Sequence, residues 1–176
     1  MFGSFTYSGK LVEEFTGFNI LIVGLILALF GVGTVLGGRI APKLRSKLKN
    51  AFLVFAGILG FLSLFEISDP HSILTLSLGF LGFGIAFIFL QSTLVATVQE
   101  KLPHMRGTAM SMASFNMFVG GAVGTSVNGI IMKSYGSSRI FYNTSFVILI
   151  VGIVAASLIA SFEMRKKARL GKEILE

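Results

Sequence analysis

The stretch ILTLSLGFLGFGIAFIFLQSTLVATV, residues 73–98, carries no charged side chain from end to end. A run of about 18 or more such residues is long enough to cross the hydrocarbon core of a bilayer as a helix, and in lipid a helix satisfies its own backbone hydrogen bonds. Working outward, apolar runs of similar length recur at about 19–38, 51–67, 108–132 and 140–162. A barrel strand needs only about ten residues of alternating character. These runs are continuous and rich in Leu, Phe, Ile and Gly, so they predict helices. The expected fold is all-α, a polytopic transmembrane bundle of about five spans, forming a single transmembrane domain over residues 1–176 with a basic tail at 163–176.

Composition agrees. The chain has 176 residues, 53% of them hydrophobic and 13% charged, against roughly 25% charged in an ordinary soluble domain; its mean hydropathy is +0.84. The net charge of +7 raises nucleic acid as a partner, but the basic residues lie between apolar runs and form no binding face, so none is expected. There is no cysteine, and His71 and His104 fall in loops, so no metal and no cofactor is expected. No acidic, basic or His side chain lies deep in a predicted span. The usual intramembrane proton relay is therefore missing, as are the paired groups of an intramembrane hydrolase, and the chain reads as no enzyme, with no catalytic residue.

Lys and Arg distribute unevenly. Arg39, Lys43, Arg45, Lys47, Lys49, Lys101, Arg106, Arg165, Lys166, Lys167, Arg169 and Lys172 fall on one side, while Lys10, Lys133 and Arg139 fall on the other with Glu13, Glu14, Glu66 and Asp69. Because Lys and Arg accumulate in cytoplasmic loops, the C-terminus is expected in the cytoplasm, in a cell membrane. The opening MFGSFTYSGK has none of the three regions of a removable signal peptide. Residues 1–16 have two readings: the outer end of an absent helix with its exit loop, or an amphipathic surface segment. GVGTVLGG at 31–38 and GGAVGTSVNG at 120–129 sit three spans apart, which fits an inverted repeat as well as it fits chance among glycine-rich helices.

The stretch QEKLPHMRGTAMSM from Gln99, with Pro103, Arg106, Gly107, Thr108 and Ala109, resembles the connection between the tenth and eleventh helices of the major facilitator superfamily. NMFVGGAVG, with Asn116, Gly120, Gly121 and Gly124, is similar to the eleventh helix of its drug-exporting members. GRIAPKLRSK resembles the basic loop between the eighth and ninth helices: Gly38, Ala41, Lys43 and Lys47 fit its signature, but Pro42 replaces the acid and Arg45 a glycine. The resemblance implies the last five of twelve helices, the C-terminal half of a secondary carrier. The departure at Pro42 removes the signature's own acidic partner.

Candidate site residues follow. Phe80, Phe83, Phe87 and Gln91 share one helical face, with Ser92 and Thr93 beside it. The resemblance makes their span the tenth helix, which lines the family's cavity, so Phe83, Phe87, Gln91 and Asn116 are substrate-cavity candidates; packing or lipid contact is the alternative for each. Asn116 and Asn128 must face protein or water, because an amide in hydrocarbon loses its partners. Gly33 with Gly37, and Gly120 with Gly124, are small-residue pairs suited to close helix packing.

The expected function is transport by a major facilitator carrier, namely efflux of a small amphipathic solute, with this chain supplying one half. Its partners would be the lipid bilayer, the small-molecule substrate, and an N-terminal half or a second copy. The competing reading is a small helical membrane protein that binds or scaffolds a partner without transport of its own.

Overall fold

The computed structural model describes residues 2–17, 20–48 and 51–173. Within them are α1 (Phe2–Phe5), α2 (Ser8–Thr16), α3 (Ile20–Leu48), α4 (Ala51–Ser68), α5 (Ile73–Lys101), α6 (Arg106–Tyr135) and α7 (Ser137–Glu173), with a 3-10 turn at Pro103–Met105. The last five are long and apolar enough to cross a membrane. Asn19, Lys49 and the final tail residues 174–176 lie outside the described residues.

Local chemistry sets the helix ends. Ser72 opens α5 with a reciprocal cap: its Oγ accepts from the Thr75 N–H at 3.2 Å, and its own N–H donates to Thr75 Oγ1 at 3.1 Å. Two N–H groups that the helix cannot satisfy are thereby paired. At the far end Pro103 stops the helix, since the residue before a proline is pushed out of the helical region, and Leu102 has φ −125° and ψ 62°. Gly136, at φ 87°, makes the sharp turn between α6 and α7 that a residue with a Cβ would strain.

Two helices outrun the sequence expectation. The basic segment from Gly38 is not a loop: α3 runs unbroken through Pro42 to Leu48. Proline removes the hydrogen bond to the carbonyl four residues back and its ring crowds that residue. Here that residue is Gly38, which is exposed, so its carbonyl, left without the helix hydrogen bond, lies at the surface of the bundle. Helix α7 likewise continues into the expected tail as far as Glu173.

Helix α5 is the centre, packed along α3 on one side and α4 on the other, with α4 also packed along α7. The α3–α5 contact is backbone on backbone. A Cβ on Gly33 would stand 2.2 Å from the Leu81 carbonyl oxygen, and one on Gly84 would stand 2.2 Å from that of Phe30. Gly57 and Gly152 do the same for α4 and α7, a Cβ on Gly152 meeting the Gly57 Cα at 3.0 Å. Around these crossings Phe52, Leu53, Leu64, Ile67, Phe80, Phe83, Ile140 and Phe141 are fully buried.

The N-terminal stretch forms two short helices that pack on the bundle. Helix α1 is packed against α6 and α7, with Ser4 buried and the Gly3 backbone against Gly124. Helix α2 is amphipathic: Leu11 and Val12 are buried while Lys10, Glu14 and Phe15 are exposed. By contrast α6 is barely covered; of its residues only Ala109 and Asn128 are buried.

Candidate functional site

Four aromatic rings connect α1, α3 and α5. Phe30 lies at the middle, its ring centroid 4.5 Å from Phe5, 5.2 Å from Phe83 and 5.7 Å from Phe87. Tilted pairs at these separations suit the ring quadrupoles. Phe80 and Phe83 are fully buried, so they hold α5 in the core. Phe5, Phe30 and Phe87 are half-buried and leave ring surface at the edge of the bundle.

One turn beyond Phe87, Gln91 reaches the neighbouring helix. Its Nε2 donates to the Met117 Sδ at 3.4 Å, joining α5 to α6. A thioether is a weak acceptor, and it engages one N–H only. Next to Met117, Asn116 is exposed and turns its Nδ2 onto the Met112 carbonyl of its own helix at 2.9 Å. Each amide thus spends one donor and keeps further hydrogen-bonding capacity for another partner. Gln91, one turn from Phe87, and Asn116, next to Met117, therefore lie on adjoining helices, whereas Phe83 is fully buried. The contacts of Phe30 with Phe5 and Phe87 and of Met117 with Gln91 were not legible from the sequence, because an apolar residue in an apolar run carries no mark of its own.

The second amide, Asn128, is used differently. Its Nδ2 donates to Ser4 Oγ at 3.2 Å, and Ser4 Oγ lies 2.6 Å from Thr144 Oγ1. Thr144 has one hydroxyl proton, which it gives to the Ile140 carbonyl at 2.7 Å. Ser4 must then donate to Thr144 and accept from Asn128. The order Asn128, Ser4, Thr144, Ile140 ties α6, α1 and α7 together among buried groups. Tyr7 adds a bond from its hydroxyl to the Thr125 carbonyl at 3.1 Å.

Of the glycine pairs, Gly33 and Gly37 both pack on α5, Gly37 facing Ile85 and Ile88. Gly124 lies 3.7 Å from Gly3, measured from the Cβ it lacks, while Gly120 faces open space within the described residues. Ser92 leans on the Phe89 carbonyl at 3.5 Å. Thr93 is buried, and its hydroxyl has no hydrogen-bond partner among the described residues.

At the basic end, Arg45 pairs with Glu100 at 2.9 Å and reaches Thr97 Oγ1 at 3.5 Å. The residue that departs from the signature glycine therefore clamps α3 to α5. Lys43 and Lys47 are exposed on the same helix, and Pro103, Arg106 and Gly107 are exposed at the turn into α6. At the other end the Ser137 hydroxyl donates to the Glu14 carboxylate, and the Arg139 guanidinium lies 5.9 Å from the Tyr142 ring centroid. Among the described residues no cluster of His, Asp or Glu could hold a metal ion.

The comparisons agree with this architecture. The family model for the Major Facilitator Superfamily matches residues 1–125. Two proteins of Bacillus subtilis (strain 168), each named an uncharacterized MFS-type transporter, are similar. YceJ is 27% identical over 135 residues, covering 76% of this chain and 34% of YceJ; YtbD is 31% identical over 140 residues, covering 75% and 35% respectively. The chain spans about a third of the length of these curated relatives. No solved structure matches it. With its helical, membrane-spanning architecture and a family match over most of its length, the chain belongs to the major facilitator superfamily.

Proposed function

We propose that this chain supplies the C-terminal half of a secondary carrier, as a single transmembrane domain, and that Phe30, Phe87, Gln91 and Asn116 form part of one wall of its substrate pathway. The observation that carries the reading is the pairing of two incompletely used amides with half-buried aromatic rings on adjoining helices. Binding pockets are mostly apolar with a few placed polar groups, and this surface has that make-up. It suits a small amphipathic solute, whose apolar body would lie on the rings while one polar group meets an amide. Efflux is the direction favoured by the likeness of the Asn116–Gly124 stretch to drug exporters.

Alternating access rocks one bundle against another about a site at their interface. The sparse cover on α3 and α6 leaves room for an N-terminal half, or a second copy, to form the opposite wall. The excess of Lys and Arg at the α3, α5 and α7 ends supports a cytoplasmic C-terminus in a cell membrane. The test is fluorescence-quenching uptake of lipophilic cations in proteoliposomes, with this chain alone and together with the segment encoded upstream. Uptake only with both supports the half-carrier; uptake by this chain alone overturns the need for another half.

A further inference from the structure

Gln91 is held by a partner that suits it poorly. Its Nε2 lies 3.4 Å from the Met117 Sδ, and both side chains are half-buried where α5 meets α6. A thioether sulfur has no proton to give, so the amide turns its NH2 edge toward Met117 and acts there as a donor. Sulfur accepts weakly, and an amide donor shut away from water without any acceptor is penalised; the contact therefore satisfies Gln91 only at a low level. Methionine is unbranched, with three rotatable bonds, so its sulfur can leave the contact by side-chain rotation alone, with α6 in place. Charge is distant on the three helices concerned. The charged residues nearest in sequence to Phe30, Gln91 and Met117 on α3, α5 and α6 are Arg39, Glu100 and Arg106, each nine or more positions away, which is about 13 Å or more of helix rise.

We infer that the Met117 sulfur stands in for the solute: a substrate bearing an uncharged oxygen acceptor, a carbonyl or an ether, displaces it and takes the Gln91 hydrogen bond, its apolar body lying on the Phe87 and Phe30 rings. This exchange depends on reading the surface as part of the substrate pathway, and it adds which group of the solute is recognised and which residue yields to it. An oxygen acceptor binds the amide N–H better than a thioether does, and the displaced sulfur leaves no unpaired proton behind. The exchange therefore strengthens one bond without orphaning a donor. A carboxylate would accept as well, but on these three helices no cation stands near enough to offset its loss of water. An ammonium head carries donors only and would meet the donor edge of Gln91. Once turned aside, the Met117 sulfur still has use, because thioethers pack favourably against aromatic groups.

The test is saturable binding of tritiated fluorenone and tritiated fluorene, two solutes of one shape that differ in a carbonyl against a methylene, to this chain assembled with the proposed N-terminal half in detergent. Fluorenone is expected to bind several-fold more tightly. Met117→Leu conserves volume and removes the competing acceptor, so it should tighten fluorenone several-fold and leave fluorene unchanged. Gln91→Leu should bring fluorenone down to the level of fluorene, and Met117→Leu added to Gln91→Leu should then gain nothing. A purely structural role for either residue would move both solutes alike. Equal binding of the two solutes by the unchanged chain, or a Met117→Leu effect shared by both, overturns the exchange while the pathway stands. Saturable binding of neither solute overturns the pathway reading and the exchange with it. If Gln91→Leu does not assemble, Met117→Leu alone decides: a gain confined to fluorenone supports the exchange, and no gain or a loss overturns it.

Discussion

Asn128 and Ser4, on helices 124 residues apart in sequence, share a buried hydrogen bond of 3.2 Å that Ser4 passes on to Thr144. Such interhelical bonds average about 0.6 kcal/mol and reach about 1.7 kcal/mol. Replacing Asn128 with Leu removes a donor from a chain in which each group has one place to go. Asn128→Leu and Ser4→Ala are each expected to destabilise by about 1 kcal/mol, and the double variant by less than their sum. Thermal unfolding in detergent measures the coupling; strict additivity would show that the two groups do not interact.

Small residues of one sequence type should answer differently to the same change. Gly84→Ala puts a methyl into the Phe30 carbonyl and Gly33→Ala puts one into that of Leu81, each expected to cost about 1–3 kcal/mol as the helices separate. Gly120→Ala meets nothing and gains helix propensity of up to about 1 kcal/mol. Unfolding curves for the three variants should therefore fall on both sides of the unchanged chain.

Thr93 is buried with an unpartnered hydroxyl, which costs about 1–3 kcal/mol for a lost hydrogen bond. Thr93→Val keeps the shape and removes the group. It is expected to leave the melting temperature unchanged or raise it, whereas a drop would reveal a hydrogen-bond partner for that hydroxyl in the membrane.

The Arg45–Glu100 pair, with side chains 28% and 65% exposed, is held in a screened setting. Glu100→Gln should cost less than about 1 kcal/mol, and the loss should shrink as salt is added. A salt-insensitive loss in thermal melts would contradict a surface ion pair.

Much of the fold is legible in the residues. The charge-free run 73–98 marks the span of α5, because apolar length is a local property; the cap of Ser72 with Thr75 emerged from the structure. The end of α3 is not legible. Gly38, Pro42 and four cations within ten residues read as a loop, yet α3 runs through them, with the Gly38 backbone that loses its helix hydrogen bond to Pro42 exposed. Asn128 is legible as an amide needing a partner, but Ser4 is not, since nothing in a short N-terminal stretch says which helix it will meet. Phe83 and Phe87 look alike in the sequence. Both rings lie against Phe30, yet Phe83 is fully buried and Phe87 only half-buried, a difference of tertiary packing that residue type does not carry.

A substrate pathway requires Gln91 and Asn116 to face water. The chain has no cysteine, so a single introduced thiol is read without background. Gln91→Cys and Asn116→Cys, made in this chain together with the proposed N-terminal half in a bilayer, are expected to react with a membrane-impermeant thiol reagent, while Leu62→Cys, exposed on α4, is not. Gln91→Cys and Asn116→Cys as unreactive as Leu62→Cys would contradict the placement of these residues on a substrate pathway.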